Sequence, residues 1–135
     1  MKIGTAGKYA VRIVVDIAKN NGVVSLKEVA TRQNISIKYA EQIAGKLTKA
    51  NILCGQRGQD GGYKLAKDAR EISVRDILQA TGEIDDKISC DSTCPRKGEC
   101  VGGDVWSTLN DLINDYLSSV SVKNLIDKHK NVDKH

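Results

Sequence analysis

Residues 52–66, with the sequence ILCGQRGQDGGYKLA, restrict the fold of this chain more than any other stretch. Two short apolar stretches flank a glycine-rich tip, RGQDGG. Because glycine adopts the positive φ angles that a tight β-turn requires, the stretch predicts a β-hairpin. Helical periodicity dominates the rest of the chain. The sequence therefore predicts a mainly α protein that carries one small β-wing.

Three short helices are predicted before the hairpin. The first covers about residues 5–20, where apolar residues recur at helical spacing. The second begins at SLKE, a capping-box pattern in which the side chains of Ser25 and Glu28 each accept a hydrogen bond from the other residue's backbone N–H. The third follows Ser36, a good N-cap, and ends at about Ala50. Three helices followed by a hairpin with a basic tip predict a winged helix-turn-helix.

The second half of the chain is predicted to contain a long amphipathic helix. It follows a shorter helix that is opened by SVRD and closed by Gly82. The apolar face of the long helix is wider than the remaining chain can cover, which predicts a homodimer formed through this helix. The face consists of Trp106, Leu109, Leu112, Ile113, Tyr116, Leu117 and Val120. The predicted division is a winged helix-turn-helix domain at 1–82, a cysteine loop at 83–103, a dimerisation helix region at 104–128 and a flexible tail at 129–135.

The charge of the chain is unevenly distributed. The net charge is +4, but residues 1–66 contain 11 Lys and Arg against 4 Asp and Glu, whereas residues 67–135 contain 10 against 13. A basic front half indicates that this half binds a polyanion, although a solvated charged surface is the alternative. In a winged helix-turn-helix the polyanion is double-stranded DNA, and the N-terminal half of the third helix enters the major groove.

The predicted DNA-binding residues come from the start of the chain, the third helix and the hairpin tip. Glu41 is informative, because a carboxylate that faces DNA is costly unless it accepts a hydrogen bond from a base edge, such as cytosine N4. The alternative is a solvated side chain paired with Lys38 or Lys46. Arg57 at the hairpin tip is expected in the minor groove or at a phosphate. The full set is Lys2, Thr5, Tyr9, Ser36, Lys38, Tyr39, Glu41, Gln42, Lys46, Arg57, Gly58, Gly61 and Gly62.

Three of the four cysteines lie close together in CDSTCPRKGEC, at Cys90, Cys94 and Cys100. Clustered cysteines in a cytoplasmic protein indicate metal or redox chemistry. A structural zinc site usually has paired C-x2-C knuckles and four ligands, but no fourth Cys or His lies near this loop. An iron–sulfur cluster tolerates one nitrogen or oxygen ligand, so the three thiols favour a cluster, with zinc and a thiol switch as alternatives. Cys54, on a predicted wing strand, is expected to be a small buried side chain.

The chain resembles the IscR-type (Rrf-type) bacterial transcriptional regulators from residue 1 to about residue 128. The resemblance rests on MKIGTAGKYAVR, ISIKYAEQIAGKL, QRGQDGGYKLAKDAREISVRDILQATGE and, after the cysteine loop, CVGGDVW. It implies a winged domain that binds DNA, a long helix that crosses to a partner subunit in a two-fold dimer, and an iron–sulfur cluster whose state decides which promoters are bound. Branches of the family sense cluster supply, nitric oxide or redox state, and a cysteine-poor branch controls cysteine metabolism.

The chain departs from the pattern of this family at the cluster ligands. The first gap between cysteines is three residues rather than five, and Gly103 stands where the best-known cluster-assembly regulator has a histidine ligand. Lys8 stands where the nitric-oxide-sensing branch has an aspartate ligand. The fourth ligand is therefore predicted to be a weak group other than cysteine. Asp104 is the first candidate, followed by Glu41 and His129, although Asp104 also suits the N-cap of the long helix.

The predicted function is a DNA-binding transcriptional regulator, expected to be a repressor, that senses cluster status, redox state or nitric oxide. A 2Fe–2S cluster is favoured over a 4Fe–4S cluster, and the DNA partner is a near-palindromic operator. The alternatives are a regulator with zinc or a thiol switch at the same cysteines, a cysteine-metabolism regulator, and an electron-transfer protein or enzyme. No nucleophile–base pair, phosphate loop or paired carboxylate site indicates an enzyme. With no signal peptide and no apolar run near the ~20 residues that span a membrane, the protein is expected to be cytoplasmic.

Overall fold

The computed structural model describes residues 4–20, 22–58, 61–83 and 101–133, with the side chains of 105–128 in the last range. The chain forms a helical body with one hairpin, and the predicted fold class is confirmed. The helices are α1 (Thr5–Lys19), α2 (Leu26–Gln33), α3 (Ile37–Lys49), α4 (Val74–Ala80), α5 (Val101–Ser119) and α6 (Val122–Asp133). The hairpin consists of β1 (Leu53–Gln56) and β2 (Gly62–Leu65), and a 3₁₀ turn covers Ala69–Glu71.

Helix α1 lies at the centre of the body. It contacts α2, α3, α4, α6 and β2. Ala10, Ile13, Val14 and Ile17 are all buried, so the helical spacing predicted for this segment is confirmed. They pack with the buried face of α3 in a single core, which α6 joins through Val122.

Two S-x-x-acid patterns predict capping boxes, but only one of them forms. At the start of α4, Ser73 Oγ accepts from the Asp76 N–H and Asp76 Oδ2 accepts from the Ser73 N–H, both at 3.1 Å. Ser25 occupies the N-cap of α2, so the predicted start of this helix is confirmed, but its side chain accepts no cap hydrogen bond and the predicted capping box is wrong. The preceding residue, Val24, pairs through its backbone with Tyr63 of β2, and this tertiary contact fixes the chain just before α2.

A buried carboxylate joins α1 to α2. Asp16 Oδ1 and Oδ2 accept from Arg32 Nε at 3.1 and 3.0 Å, and Oδ1 accepts from Arg32 Nη2 at 2.7 Å. Gln33 Nε2 donates to Asp16 Oδ2 at 3.0 Å. The hydrogen bonds to Asp16 raise the pKa of the Arg32 guanidinium above its usual value. Since both charges have partners, the buried charge of Asp16 holds the first helix of the helix-turn-helix on the core.

Strands β1 and β2 form an antiparallel hairpin, which we call the wing. Leu53 pairs with Leu65, and Gln56 pairs with Gly62 at the far end. Val24 forms an isolated β-bridge to the wing: its N–H and C=O exchange hydrogen bonds with Tyr63, both at 2.8 Å. The wing is therefore attached to the body on the side opposite β1.

Helices α5 and α6 differ from the predicted boundaries. Helix α5 begins at Val101, so Asp104 lies inside its first turn and its predicted role as the N-cap is wrong. Helix α6 continues to Asp133, into the segment expected to be a flexible tail. The junction between the two helices is held on the body by a bridge between Ser73 and Ser121. Helix α5 also contacts α4.

Candidate nucleic-acid interface

Helices α2 and α3 form the helix-turn-helix, and Asn34 shapes the turn between them. Asn34 adopts a left-handed conformation with φ of 58°, and the Ile35 N–H donates to Ala30 O at 3.0 Å, which closes α2 in a C-cap motif. Helix α3 then begins with Ser36, whose Oγ accepts from the Tyr39 N–H at 3.1 Å, so the predicted N-cap is confirmed. The turn and this cap fix the start of α3, the recognition helix.

The outer face of the recognition helix carries most of the predicted DNA-binding residues. Lys38, Glu41, Gln42 and Lys46 are all exposed, because the opposite face is buried in the core. In the described part of the chain, Glu41 forms no ion pair with Lys38 or Lys46. Its carboxylate is therefore free to accept a hydrogen bond from outside the protein. Sequence reasoning overlooked Ile37, an exposed apolar side chain in the first turn that suits contact with a thymine methyl group.

Two of the predicted DNA-binding residues contact each other. The rings of Tyr9 on α1 and Tyr39 on α3 meet edge to face, with centroids 5.9 Å apart and an angle of 82° between the planes. The Arg12 guanidinium lies 5.3 Å from the centre of the Tyr9 ring. Aromatic pairs of this geometry add stability beyond the area they bury. The three side chains therefore fix the N-terminal turn of the recognition helix on α1.

The tip of the wing carries Arg57, which is exposed. Each predicted glycine there has a steric reason to be glycine. Gly58 has φ of 124°, and a Cβ on Gly61 would lie 2.4 Å from Gln56 O. A Cβ on Gly62 would lie 2.1 Å from Val24 O. These glycines allow the backbone conformation of the wing tip, where Arg57 is exposed.

Known proteins resemble this chain over almost its whole length. The family model Rrf2, described as an iron-dependent transcriptional regulator, matches residues 3–128. The chain belongs to the Rrf2 family. It is 39% identical to a protein of Neisseria meningitidis that is named as an HTH-type transcriptional regulator, over 98% of this chain and 93% of that protein. It is 34% identical to the HTH-type transcriptional regulator IscR of Escherichia coli, over 98% of this chain and 85% of IscR.

Solved structures of Rrf2 regulators have the same fold. The global cysteine regulator CymR of B. subtilis superimposes with a TM-score of 0.81 at 26% identity, covering 95% of this chain and 98% of CymR. IscR of T. potens superimposes with a TM-score of 0.79 at 30% identity, covering 98% of this chain and 90% of IscR. The relatives are named as transcriptional regulators, so the prediction that this Rrf2 protein is a regulator and not an enzyme is confirmed.

Several predicted site residues of this Rrf2 regulator lie outside the described residues. They are Lys2 among the DNA-binding residues and Cys90, Cys94 and Cys100 among the metal ligands. The side chains of Asp104 and His129 also lie outside the described set. Thr5 and Lys8 are exposed on the first turns of α1. Cys54 is exposed on β1, where it pairs with Lys64, so the prediction that it is buried is wrong.

The apolar face predicted for the long helix divides into two parts. Ile113, Leu117 and Val120 are half-buried against the body. The other part is an exposed stripe, whose side chains keep 40 to 66% of their surface accessible. The exposed stripe consists of Val105, Trp106, Leu109, Leu112 and Tyr116. Contiguous exposed apolar patches mark interaction surfaces. Among the helices in the described ranges, none is both long and apolar enough to cross a lipid bilayer.

Proposed function

We propose that this Rrf2 protein is a homodimeric regulator that binds a near-palindromic DNA operator, and that an iron–sulfur cluster at Cys90, Cys94 and Cys100 controls this binding. The observation that supports DNA binding most strongly is the exposed polar face of the recognition helix beside a wing that ends in Arg57. In winged helix-turn-helix proteins, such a helix lies in the major groove and dimers bind two related half-sites. We expect the regulator to act as a repressor.

The donor set of the chain suits an iron–sulfur cluster. Three thiols lie within eleven residues, and the third immediately precedes Val101, the first residue of α5. Thiolates are the usual ligands of such clusters, and one nitrogen or oxygen ligand is tolerated. Asp104 is the candidate for the fourth position, since it is in the first turn of α5. A bound cluster would supply a group that reacts with oxidants or nitric oxide. The cysteines of the loop and Asp104 would hold it at the N-terminal end of α5, the proposed dimerisation helix.

The proposal is tested by comparing two forms of the full-length protein. One is reconstituted anaerobically with iron and sulfide, and the other is depleted of metal with a chelator. The reconstituted form is expected to show a visible sulfur-to-iron charge-transfer band, and the two forms are expected to differ in affinity for a promoter fragment in a gel-shift assay. No visible band, or equal affinity for DNA in both forms, would contradict the cluster as the sensor.

Cysteine regulation is a second candidate function, favoured by the likeness to CymR, which is described as a global cysteine regulator. A zinc site or a thiol switch at the loop cysteines is a separate alternative to the cluster. Metal analysis of the native protein tests this alternative, because the cluster requires iron and sulfide together. Stoichiometric zinc, or a metal-free protein whose DNA binding follows the thiol oxidation state, would favour it.

We expect Glu41→Ala to relax base preference more than it lowers affinity for random DNA. The Glu41 carboxylate is exposed and has no ion-pair partner among the described residues, so it is available to a base edge. A good base contact contributes about 1–3 kcal/mol of discrimination against the wrong base. Selection of binding sites from a random DNA library measures the preference directly.

Arg57→Ala is the matched comparison for Glu41→Ala. Because Arg57 lies on the wing rather than on the recognition helix, its removal is expected to weaken operator binding by about 1–3 kcal/mol. The preferred sequence at the positions read by Glu41 should stay the same in this variant. If Glu41→Ala selected the same sequence as the wild type, its role in base recognition would be wrong.

We expect Leu112→Glu to dissociate the dimer. Leu112 lies in the middle of the exposed stripe, and two copies of the change place two charges in one apolar interface. The loss of two buried leucine side chains is expected to raise the dimer dissociation constant by about 100-fold or more. Sedimentation equilibrium at micromolar concentration measures it. Ser118→Glu, at an exposed position of α5 outside the stripe, is the control and should remain dimeric. A wild type that sediments as a monomer would contradict the proposed dimer.

A further inference from the structure

Helix α1 lacks an N-terminal cap of its own. Its N-cap residue is Gly4, which offers no side chain, and its first turn contains no acidic residue. Glu83 supplies the acceptor, because its Oε2 accepts a hydrogen bond from the Gly4 backbone N–H at 2.9 Å. In a capping box, the N-cap N–H donates to a Glu three residues into the same helix. Here the carboxylate comes from 79 residues further along the chain, and its negative charge lies at the positive end of the α1 dipole.

Glu83 is held from both sides. Its N–H donates to Leu78 O at 2.9 Å, which fixes its backbone at the C-terminal end of α4. Its side chain lies along the first turn of α1, in space left open by two glycines. A Cβ on Gly4 would lie 2.9 Å from Glu83 Oε1, and a Cβ on Gly7 would lie 2.7 Å from Glu83 Cγ. Glu83 therefore joins the end of α4 to the start of α1.

The first turns of α1 continue this connection to the recognition helix. Tyr9, one turn beyond Gly4 and Thr5, packs edge to face on Tyr39, and Arg12 covers the Tyr9 ring. Tyr39 is in the first turn of α3, where its N–H donates to the N-cap Ser36. A displacement of the N-terminal part of α1 would therefore move the turn of α3 that faces DNA.

We propose that Glu83 is a positioning residue for DNA binding. By capping α1 it fixes Tyr9, and through the contact between Tyr9 and Tyr39 it fixes the first turn of the recognition helix. Glu83 also directly precedes residues 84–100, which contain the three cysteines. In the second step of the proposal, a change of state at these cysteines reaches the DNA-binding surface through Glu83. This second step rests on the function proposed above, whereas the capping step does not.

The test uses the full chain with three substitutions. Glu83→Ala removes the acceptor, and Glu83→Gln keeps an acceptor oxygen without the charge. Glu71→Ala, at an exposed glutamate in the 3₁₀ turn, is the matched control. The measurements are hydrogen exchange of the α1 amides, the urea midpoint of unfolding, and operator affinity with and without metal and sulfide.

Glu83→Ala is expected to speed exchange in the first two turns of α1 about tenfold, the effect of losing a cap, while amides in the core of α3 change little. Operator affinity is expected to fall by a similar factor. Glu83→Gln should keep most of the wild-type protection of the α1 amides and most of the wild-type operator affinity. Glu71→Ala should behave as the wild type. Unchanged α1 exchange together with unchanged operator affinity in Glu83→Ala would overturn the proposal. A changed spectrum or a shorter lifetime of the visible band in Glu83→Ala would also overturn it, because that is the effect expected when a weak oxygen ligand of the cluster is removed.

The link to the cysteines has a separate readout, the ratio of operator affinities between the reconstituted and the metal-free form. The wild-type ratio tests the function proposed above by itself, since a ratio of one contradicts the sensor whatever Glu83 does. With a wild-type ratio different from one, Glu83→Ala should bring it closer to one while the visible band remains. A ratio that stays at the wild-type value in Glu83→Ala would overturn the link and leave only the capping of α1.

Discussion

Gly62→Ala is expected to lower the free energy of unfolding by about 3 kcal/mol and to weaken operator binding about tenfold. A Cβ at this position would lie 2.1 Å from Val24 O and 2.6 Å from Val24 C, which are backbone atoms and cannot rotate away. The variant must therefore break the pair of 2.8 Å hydrogen bonds between Val24 and Tyr63 or distort the wing. Either change moves Arg57 relative to the recognition helix.

Gly55→Ala is the matched control for this prediction, because Gly55 lies in the other strand of the same wing. Its Cβ would lie 3.5 Å from the nearest atom, Tyr63 Cε1, which is an ordinary contact. Urea unfolding monitored by circular dichroism gives the two midpoints, and a gel-shift assay gives the two affinities. Equal midpoints for Gly55→Ala and Gly62→Ala would contradict the prediction, because the close approach of Val24 to Gly62 would then not destabilise the protein.

The parts of the fold that could be predicted are those encoded by local patterns. The apolar spacing of α1, the glycines of the wing and the N-cap Ser36 act within a few residues, and the structure confirms each of them. The exposure of Lys38 and Glu41 followed from the buried face on the other side of α3. Periodicity determines which side of a helix faces the core, so it also determines which side remains for DNA.

The predictions that were wrong depended on contacts between distant parts of the chain. SLKE and SVRD look alike as capping patterns, but the backbone pairing of Val24 with Tyr63 fixes the chain before α2. Cys54 was expected to be buried as a small apolar residue. Of the four residues of β1, however, only Leu53 packs in the core of the body, and Cys54, Gly55 and Gln56 are all exposed.

The connections that support the candidate site could not be read from the sequence either. The hydrogen bond between Glu83 and Gly4 joins residues 79 positions apart, and no spacing rule relates them. The pairing of Tyr9 with Tyr39 depends on how α1 crosses α3. Sequence reasoning identified both tyrosines as surface residues near DNA but gave no reason to expect their contact.

Single substitution of Cys90, Cys94 or Cys100 by alanine is expected to abolish the visible iron–sulfur band completely, which is the largest effect predicted for this protein. The loop contains only three thiols, and each substitution leaves two. Two thiolates and one weak oxygen or nitrogen ligand are too few to retain a cluster that is normally held by four ligands. Anaerobic reconstitution of each variant, followed by visible absorption and iron and sulfide analysis, measures the loss.

Cys54→Ala is the control with the same chemistry, and it should leave the band intact. Cys54 is exposed on the wing opposite Lys64 and belongs to the DNA-binding half of the chain.

Asp104→Ala is expected to change the spectrum or the lifetime of the band without abolishing it, because the fourth ligand is predicted to be weak. A weak ligand makes physical sense in a sensor, since the iron that it binds would stay open to oxidants or nitric oxide. Loss of the band in Cys54→Ala would contradict this ligand set, because Cys54 on the wing would then be a cluster ligand. Stoichiometric zinc in the native protein would contradict it too, because zinc would then occupy the site in place of an iron–sulfur cluster.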